Sequence, residues 1–101
     1  MQHEPFIISS VDRAQSWVDL CSKGLQLPAE KSAAMLCSLC GFGTWDVMAY
    51  AICSMAPSPA DEDLEPEQYR HRLAGQIRTL VLDHELEIGK AIILLASLSP
   101  T

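Results

Sequence analysis

The sequence lacks an apolar run long enough to cross a membrane, which needs roughly 18 residues. Its most apolar stretch, at positions 91–96, is far shorter and ends at Ser97. The amino-terminal sequence MQHEPFII also lacks the basic start and cleavage site of a signal peptide. We therefore expect no membrane segment and a location in the reducing cytoplasm, where the four cysteines would be free thiols.

Basic residues are scarce as well. Seven Lys and Arg stand against 13 Asp and Glu, which gives a formal net charge of −6. Because non-specific affinity for nucleic acid comes from cationic side chains that displace counterions, this balance argues against a phosphate-binding surface. An acidic chain suits solubility or a basic patch on a protein partner. An acidic inhibitor of a nucleic-acid-binding protein, of the kind found in phage or mobile-element counter-defence, is compatible with this composition.

The length and composition of the chain limit the folds that it can adopt. A chain of 101 residues that is 49% apolar and 20% charged can build one core without disulfide staples. We predict an extended amino-terminal arm at 1–8 and a single helical domain at 9–101. Within that domain, residues 56–67 read APSPADEDLEPE and form an acidic, Pro-rich loop.

Helical periodicity and capping residues recur along the chain. Ser9 with Asp12 is typical of a helix start, and Gly24 of a helix end. The run RTLVLDHELEI at 78–88 could instead be a strand, but a lone strand has no partner for its hydrogen bonds. We therefore predict an all-α fold, a compact bundle of about five short helices, with two helical hairpins packed together as one arrangement. On the last helix, at about 86–98, the period places five side chains inward: Ile88, Ala91, Ile92, Leu95 and Leu98.

An internal duplication is one of two interpretations of the pattern. An offset of 59 positions repeats several residues, although any two amphipathic helices produce some matches through their period alone. The pairs are Arg13 with Arg72, Leu27 with Leu86, Lys31 with Lys90, Leu36 with Leu95, Ser38 with Ser97, and Leu39 with Leu98.

A Gly-rich corner marks the middle of the most apolar segment. Gly41 would stop one helix, and Thr44 would cap the next, with Phe42 and Trp45 beside them. These four residues and Trp17 on the first helix are the predicted structural determinants.

The order Leu27, Ala34, Leu36, Cys40-Gly41-Phe42, Trp45 and Ala49 resembles the small helical module of glyoxalase-related bacterial proteins. The match covers about a quarter of the chain, and Cys37 replaces the Leu that stands four positions before the Gly in that module. The resemblance implies a helical fold. The metal-binding residues of true glyoxalases have no counterpart in this sequence, so the resemblance implies no lyase activity.

The cysteines offer the sharpest chemical motif, a Cys37-Ser-Leu-Cys40 pair. A redox role needs the first thiol at a helix amino terminus, whereas this pair falls near the end of a predicted helix, on its apolar face. A zinc site would use Cys21, Cys37, Cys40 and Cys53, but a second close pair is missing. We favour the interpretation that the cysteines pack in the core. The alternative is a thiol or zinc-binding protein that uses Cys37 and Cys40.

No catalytic set stands out. No nucleophile lies at an informative spacing from His71 or His84, and the acidic loop lacks the Gly and terminal Glu of an EF-hand. We predict that the chain is not an enzyme and that it binds no cofactor. The favoured function is a small non-enzymatic protein-interaction module, a regulator, adaptor or inhibitor that binds a protein partner or a second copy. Its predicted contact residues are Phe6, Ile7, Ile8, Tyr50 and Leu64.

A helix-turn-helix-like DNA-binding regulator is a further alternative, using the corner at 41–44. The helix that would read DNA, TWDVMAYAICSM at 44–55, contains no Lys, Arg, Asn or Gln to meet bases or phosphates. The cations Arg70, Arg72 and Arg78 are offset by nearby acids. Nucleic acid is therefore not an expected partner.

Overall fold

A computed structural model describes residues 6–59 and 61–98, apart from the side chain of Asp61. It contains five α-helices and a short 3-10 helix, and no strand occurs among these residues. The predicted all-α fold is confirmed, and the alternative of a strand at 78–88 is wrong, because residues 78–83 continue a helix and residue 88 begins the next one. The α-helices are α1 (Val11–Leu25), α2 (Ala29–Cys40), α3 (Trp45–Ser54), α4 (Pro66–Asp83) and α5 (Ile88–Ser97), and the 3-10 helix spans Asp61–Asp63.

The chain divides into two units, and the division falls inside the predicted acidic loop. The first unit holds the described residues up to Ser58, with α1, α2 and α3, and the second begins at Pro59 and holds α4 and α5. Residues 1–5 of the predicted arm and residues 99–101 lie outside the described parts. A single domain over 9–101 stays a prediction.

In the first unit, α1 starts and ends one residue or more from the predicted caps. Ser10, not Ser9, is the N-cap, and its hydroxyl accepts a 3.1 Å hydrogen bond from the Arg13 N–H. The helix continues past Gly24 to Leu25 and ends at Gln26, a left-handed residue with φ of 55°. Gly24 therefore lies inside the helix, where its missing side chain weakens the helix slightly.

The corner between α2 and α3 forms where the sequence predicts it. Gly41 caps α2 with a φ of 84°, a conformation that glycine adopts without a Cβ penalty. The Phe42 N–H donates to the Cys37 carbonyl at 2.8 Å. The Thr44 hydroxyl then accepts a 3.3 Å hydrogen bond from the Val47 N–H, which caps α3.

The core of the first unit lies where α1 meets α2 and α3. Trp17 is buried there, whereas Phe42 and Trp45 at the corner are half-buried. Apolar side chains from every element of the unit contribute: Ile7, Ile8, Ala14, Trp17, Val18, Cys21, Met35, Leu36, Cys37, Cys40, Met48 and Ala51.

The second unit is a helical hairpin. Pro66 is the first residue of α4, and a capping box between Glu65 and Gln68 satisfies backbone groups at that end. The Arg72 guanidinium donates a 2.9 Å hydrogen bond to the Pro59 carbonyl, which fixes the start of the loop to the same helix. The buried side chains of the hairpin are Gln76, Leu80, Ala91, Leu94 and Leu95.

The inner face of α5 differs from the predicted one. Leu94 is buried, while Ile88 and Ile92, which were expected to face inward, are 63% and 48% exposed. The reason is that seven of the ten residues of α5 are apolar, more than one face can bury, so the spacing alone does not select the side chains that pack inward.

The two hairpins, α1–α2 and α4–α5, match at the offset of 59. Gln26, which caps α1, and Glu85, which follows the cap residue of α4, are left-handed with φ values of 55° and 57° and occupy matching positions. An internal duplication stays a hypothesis beside this agreement of two turn residues. Buried positions coincide too: Trp17 with Gln76, Cys21 with Leu80, Ser32 with Ala91, Met35 with Leu94, and Leu36 with Leu95.

No single described helix is both long enough and apolar enough to cross a membrane. Only α2 and α3 taken as a pair reach that length and composition, with a bend of 52° between them. Three long side chains of this pair, Met35, Leu36 and Met48, are fully buried within the chain.

Candidate functional site

The predicted contact residues of the arm lie largely inside the first unit. Ile7 and Ile8 are 4% and 2% exposed, so they do not form an exposed patch, and this part of the prediction is wrong. Backbone hydrogen bonds explain their burial. The Phe6 N–H donates to the Cys40 carbonyl at 2.8 Å, which holds the arm against the end of α2.

The other predicted contact residues differ in exposure. Tyr50 on α3 is 75% exposed, the highest value among the large apolar and aromatic side chains of the described residues. Phe6 and Leu64 are only half-buried. Of the five, Tyr50 is thus the one that a partner protein can reach most fully.

Tyr50 has apolar neighbours along the chain that sequence reasoning missed. Val47, three residues earlier on the same helical face, is 54% exposed, and Met55 directly after α3 is 59% exposed. We call these three residues the α3 surface. Asp46 is exposed on the same helix, and the helix carries no cation. The sequence could have indicated this surface through the helical period of α3. Met48 and Ala51 take the buried side of the helix, which leaves Val47 and Tyr50 on the exposed side.

A second apolar surface lies on α5. Ile88, Ile92 and Ile93 are 63%, 48% and 67% exposed, and Ala96 is exposed beside them. Ile88, Ile92 and Ala96 are spaced by four residues and therefore follow one ridge of the helix. We call these four residues the α5 surface. The sequence placed Ile88 and Ile92 inward, but α5, which packs against α4, buries Ala91, Leu94 and Leu95 instead.

Three of the four cysteines are buried thiols, and Cys53 is exposed. Burial raises the pKa of Cys21 and of Cys37. Burial, and then the neighbouring Cys37, raise the pKa of the Cys40 thiol to about 12. Because the thiolate is the nucleophile and the metal ligand, the Cys37–Cys40 pair is poorly suited to either role.

The proposed zinc ligands are not brought together. Cys21, Cys37 and Cys40 lie in the core, while Cys53 lies on the exposed side of α3. Among the residues that the structure describes, no group of three or more His, Cys, Asp and Glu side chains is arranged to hold a metal ion.

A buried polar contact joins α1 to α2. The Ser22 hydroxyl donates a 2.8 Å hydrogen bond to the Ser32 hydroxyl, and Ser32 is fully buried. The Cys21 thiol also hydrogen-bonds to Ser32, which satisfies a polar group that would otherwise be costly in the core. This contact lies in the interior of the first unit, and we interpret it as a packing feature.

Comparisons with protein-family models, with curated proteins and with solved structures give no significant match. The resemblance of the 27–49 segment to the helical module of glyoxalase-related proteins therefore stays a prediction.

Proposed function

We propose that this chain is a small non-enzymatic helical module of the cytoplasm that regulates, links or inhibits a protein partner by binding it through the α3 surface. The observation that carries the proposal is the exposure of Tyr50 between Val47 and Met55. Tyrosine is enriched among the residues that dominate binding energy at protein interfaces, because it offers a large apolar ring and a polar tip at low entropic cost.

The state of the cysteine thiols supports the proposal that the chain is not an enzyme. The sharpest reactive motif, Cys37 with Cys40, is buried, and raised pKa values keep both groups as thiols. Protonated, buried cysteines behave as small apolar side chains. Four free cysteines also suit the reducing cytoplasm.

The net charge of the chain indicates what kind of protein it can bind. With a net charge of −6 and Asp46 beside the α3 surface, the chain attracts a basic protein and repels an acidic one. The association rate with such a partner should fall as salt is added, since exposed charges are screened beyond roughly 10 Å at 0.1 M salt.

The test is quantitative affinity capture from the native host with the full chain as bait, followed by binding measurements on the purified partner. Tyr50→Ala should weaken binding by about 30-fold, the effect typical of a central interface residue. Leu20→Ala is the matched control, because Leu20 is an exposed apolar side chain of α1, at 56%. Equal retention of every captured protein by wild type and Tyr50→Ala would contradict the proposal.

A further inference from the structure

The Cys37–Cys40 pair lies in the last turn of α2, and the arm is bound to that turn. Both thiols are buried, at 4% and 1% exposure. Residues three apart in an α-helix have Cα atoms roughly 5 Å apart, which is within the range that a disulfide bridges. This turn is also tightened, because the Gly41 N–H donates to the Ser38 carbonyl at 3.1 Å, a hydrogen bond of the 3-10 type. The two cysteines are therefore placed to form a disulfide once a reagent reaches them.

Three hydrogen bonds hold the arm against the first unit. The Phe6 N–H donates to the carbonyl of Cys40 itself at 2.8 Å. The Ile7 N–H donates to the Ser58 hydroxyl at 2.9 Å, and the Ile7 carbonyl accepts from the Ser58 N–H at 3.0 Å. Because the arm lies outside the helices, we expect its release to be the first step in the unfolding of this unit. That step frees the backbone of Cys40 from its cover.

The two thiols are unreactive while the arm is docked. Burial raises the pKa of Cys37, and burial, then the neighbouring Cys37, raise the pKa of Cys40 to about 12. Because only the thiolate attacks a disulfide, the docked pair reacts very slowly. Water that enters when the arm leaves would lower the pKa of Cys40 towards its ordinary value. Release of the arm therefore makes an inert pair reactive.

A disulfide between these cysteines would in turn oppose docking of the arm. Side chains three residues apart in an α-helix have Cβ atoms about 5 to 6 Å apart, whereas a disulfide needs about 3.8 Å. Closing the bond must therefore shift the backbone of Cys40, whose carbonyl accepts the Phe6 N–H. The docked arm and the disulfide require different geometries of the same turn. By thermodynamic linkage, each weakens the other to the same extent.

We propose that the arm and the Cys37–Cys40 pair form a redox switch, in which release of the arm lets a low-molecular-weight disulfide, RSSR, oxidise the pair. One cysteine thiolate attacks RSSR and releases one RS⁻, and the second thiolate attacks the resulting mixed disulfide and releases the other. The pair loses two protons and two electrons, and RSSR becomes two RSH. The switch uses no residue of the α3 surface, so it holds or fails independently of the proposed function.

Oxidation of the full chain by oxidised glutathione tests the covalent step. The reference chain is Cys53→Ser, which removes the exposed thiol. After an acid quench and alkylation of the remaining thiols, mass spectrometry should find Cys37 linked to Cys40 and Cys21 still reduced. Recovery of both cysteines as thiols, or as separate mixed disulfides with glutathione, would overturn the proposal.

The rate of oxidation tests the control by the arm. Ser58→Ala removes the hydroxyl that accepts the Ile7 N–H and should speed oxidation of the pair about fivefold, the typical net effect of one hydrogen bond. Ser16→Ala, a change at an exposed serine of α1, is the matched control and should react at the rate of the reference chain. Alkylation of Cys21, which lies between α1 and α2 and bonds to Ser32, reports opening of the whole unit and should not change. Oxidation of Ser58→Ala at the reference rate, or an equal increase at Cys21, would overturn the proposal.

Amide hydrogen exchange tests the converse effect of the disulfide on the arm. The Phe6 and Ile7 N–H groups are donors in the docked arm, so both should exchange about tenfold faster in the oxidised chain than in the reduced one. The Leu86 N–H, which donates to the Leu80 carbonyl in the second unit, should exchange equally in both states. Unchanged exchange at Phe6 and Ile7 after oxidation would overturn the proposal.

Discussion

Ser22 and Ser32 share a 2.8 Å hydrogen bond between α1 and α2, and the matching positions of the second hairpin hold Val81 and Ala91. One hairpin thus uses a polar pair where the other uses an apolar pair. Both pairs are compatible with a stable hairpin, because a buried polar group destabilises the fold only when its hydrogen-bond partner is missing.

Removing one member of this pair should therefore cost more than removing both. We expect Ser32→Ala to lower the free energy of unfolding by about 1 to 2 kcal/mol, since Ser22 and Cys21 lose a partner. The double variant Ser22→Ala/Ser32→Ala should recover part of that loss. Urea unfolding followed by circular dichroism measures both, and strictly additive losses would contradict this account.

Two glycines should respond in opposite directions to alanine. Gly41→Ala places a Cβ at a φ of 84° and should destabilise the first unit by about 1 kcal/mol. Gly24→Ala lies inside α1 with nothing within 4 Å of the added Cβ, and it should stabilise by about 0.5 to 1 kcal/mol. Thermal unfolding of the two variants side by side tests the signs, and a stabilising Gly41→Ala would rule out the left-handed cap.

The four thiols should separate into two classes. Cys53 is exposed, so one equivalent of Ellman's reagent should react quickly with the native chain. Cys21, Cys37 and Cys40 are buried and should react only as the first unit unfolds. In Cys53→Ser no fast equivalent should remain. Rapid reaction of two or more thiols would instead show that Cys37 and Cys40 are accessible.

The Cys40 thiol should make stability depend on alkaline pH. Burial, and next the neighbouring Cys37, raise its pKa from 9.0 to about 12. The unfolded chain therefore releases this proton at lower pH than the folded chain does. The stabilising contribution is complete below about pH 9 and is lost as the pH rises towards 12.

At pH 10 this loss should amount to about 1 kcal/mol relative to pH 8. The measurement is urea unfolding across that range for wild type, Cys40→Ala and Cys53→Ser. Cys40→Ala should be less stable at pH 8 but should lose less stability on going to pH 10. Parallel pH profiles for wild type and Cys40→Ala would contradict the assignment.

The sequence predicted the parts of the fold that local chemistry determines. Gly41 and Thr44 mark helix ends in the structure as predicted, because a left-handed cap and a hydroxyl cap act within one turn. Gln26 and Glu85 were missed, since residues other than Gly, Asn and Asp seldom adopt a positive φ and these residue types do not mark one.

Which apolar side chains are exposed was harder to predict, because exposure depends on how the elements pack and not on local sequence. Ile7 and Ile8 form an apolar pair that could equally be exposed, and hydrogen bonds from the arm to Cys40 and Ser58, which lie far along the chain, hold it against the first unit. Ile88 and Ile92 fit an inward face by period, but α5 offers several apolar faces and α4 covers another one. Tyr50 is exposed because Met48 and Ala51 take the buried side of α3.

Sequence separation of contacts has a consequence for folding kinetics. The helices of each unit pack mainly on their neighbours along the chain, and chains with such local contacts fold in microseconds to milliseconds. The arm is different: the Ile7 N–H donates to the Ser58 hydroxyl at 2.9 Å, and the Ser58 N–H donates to the Ile7 carbonyl at 3.0 Å. Closing that long loop costs entropy before any contact forms, so we expect the arm to dock last and to be the first part of the unit to open.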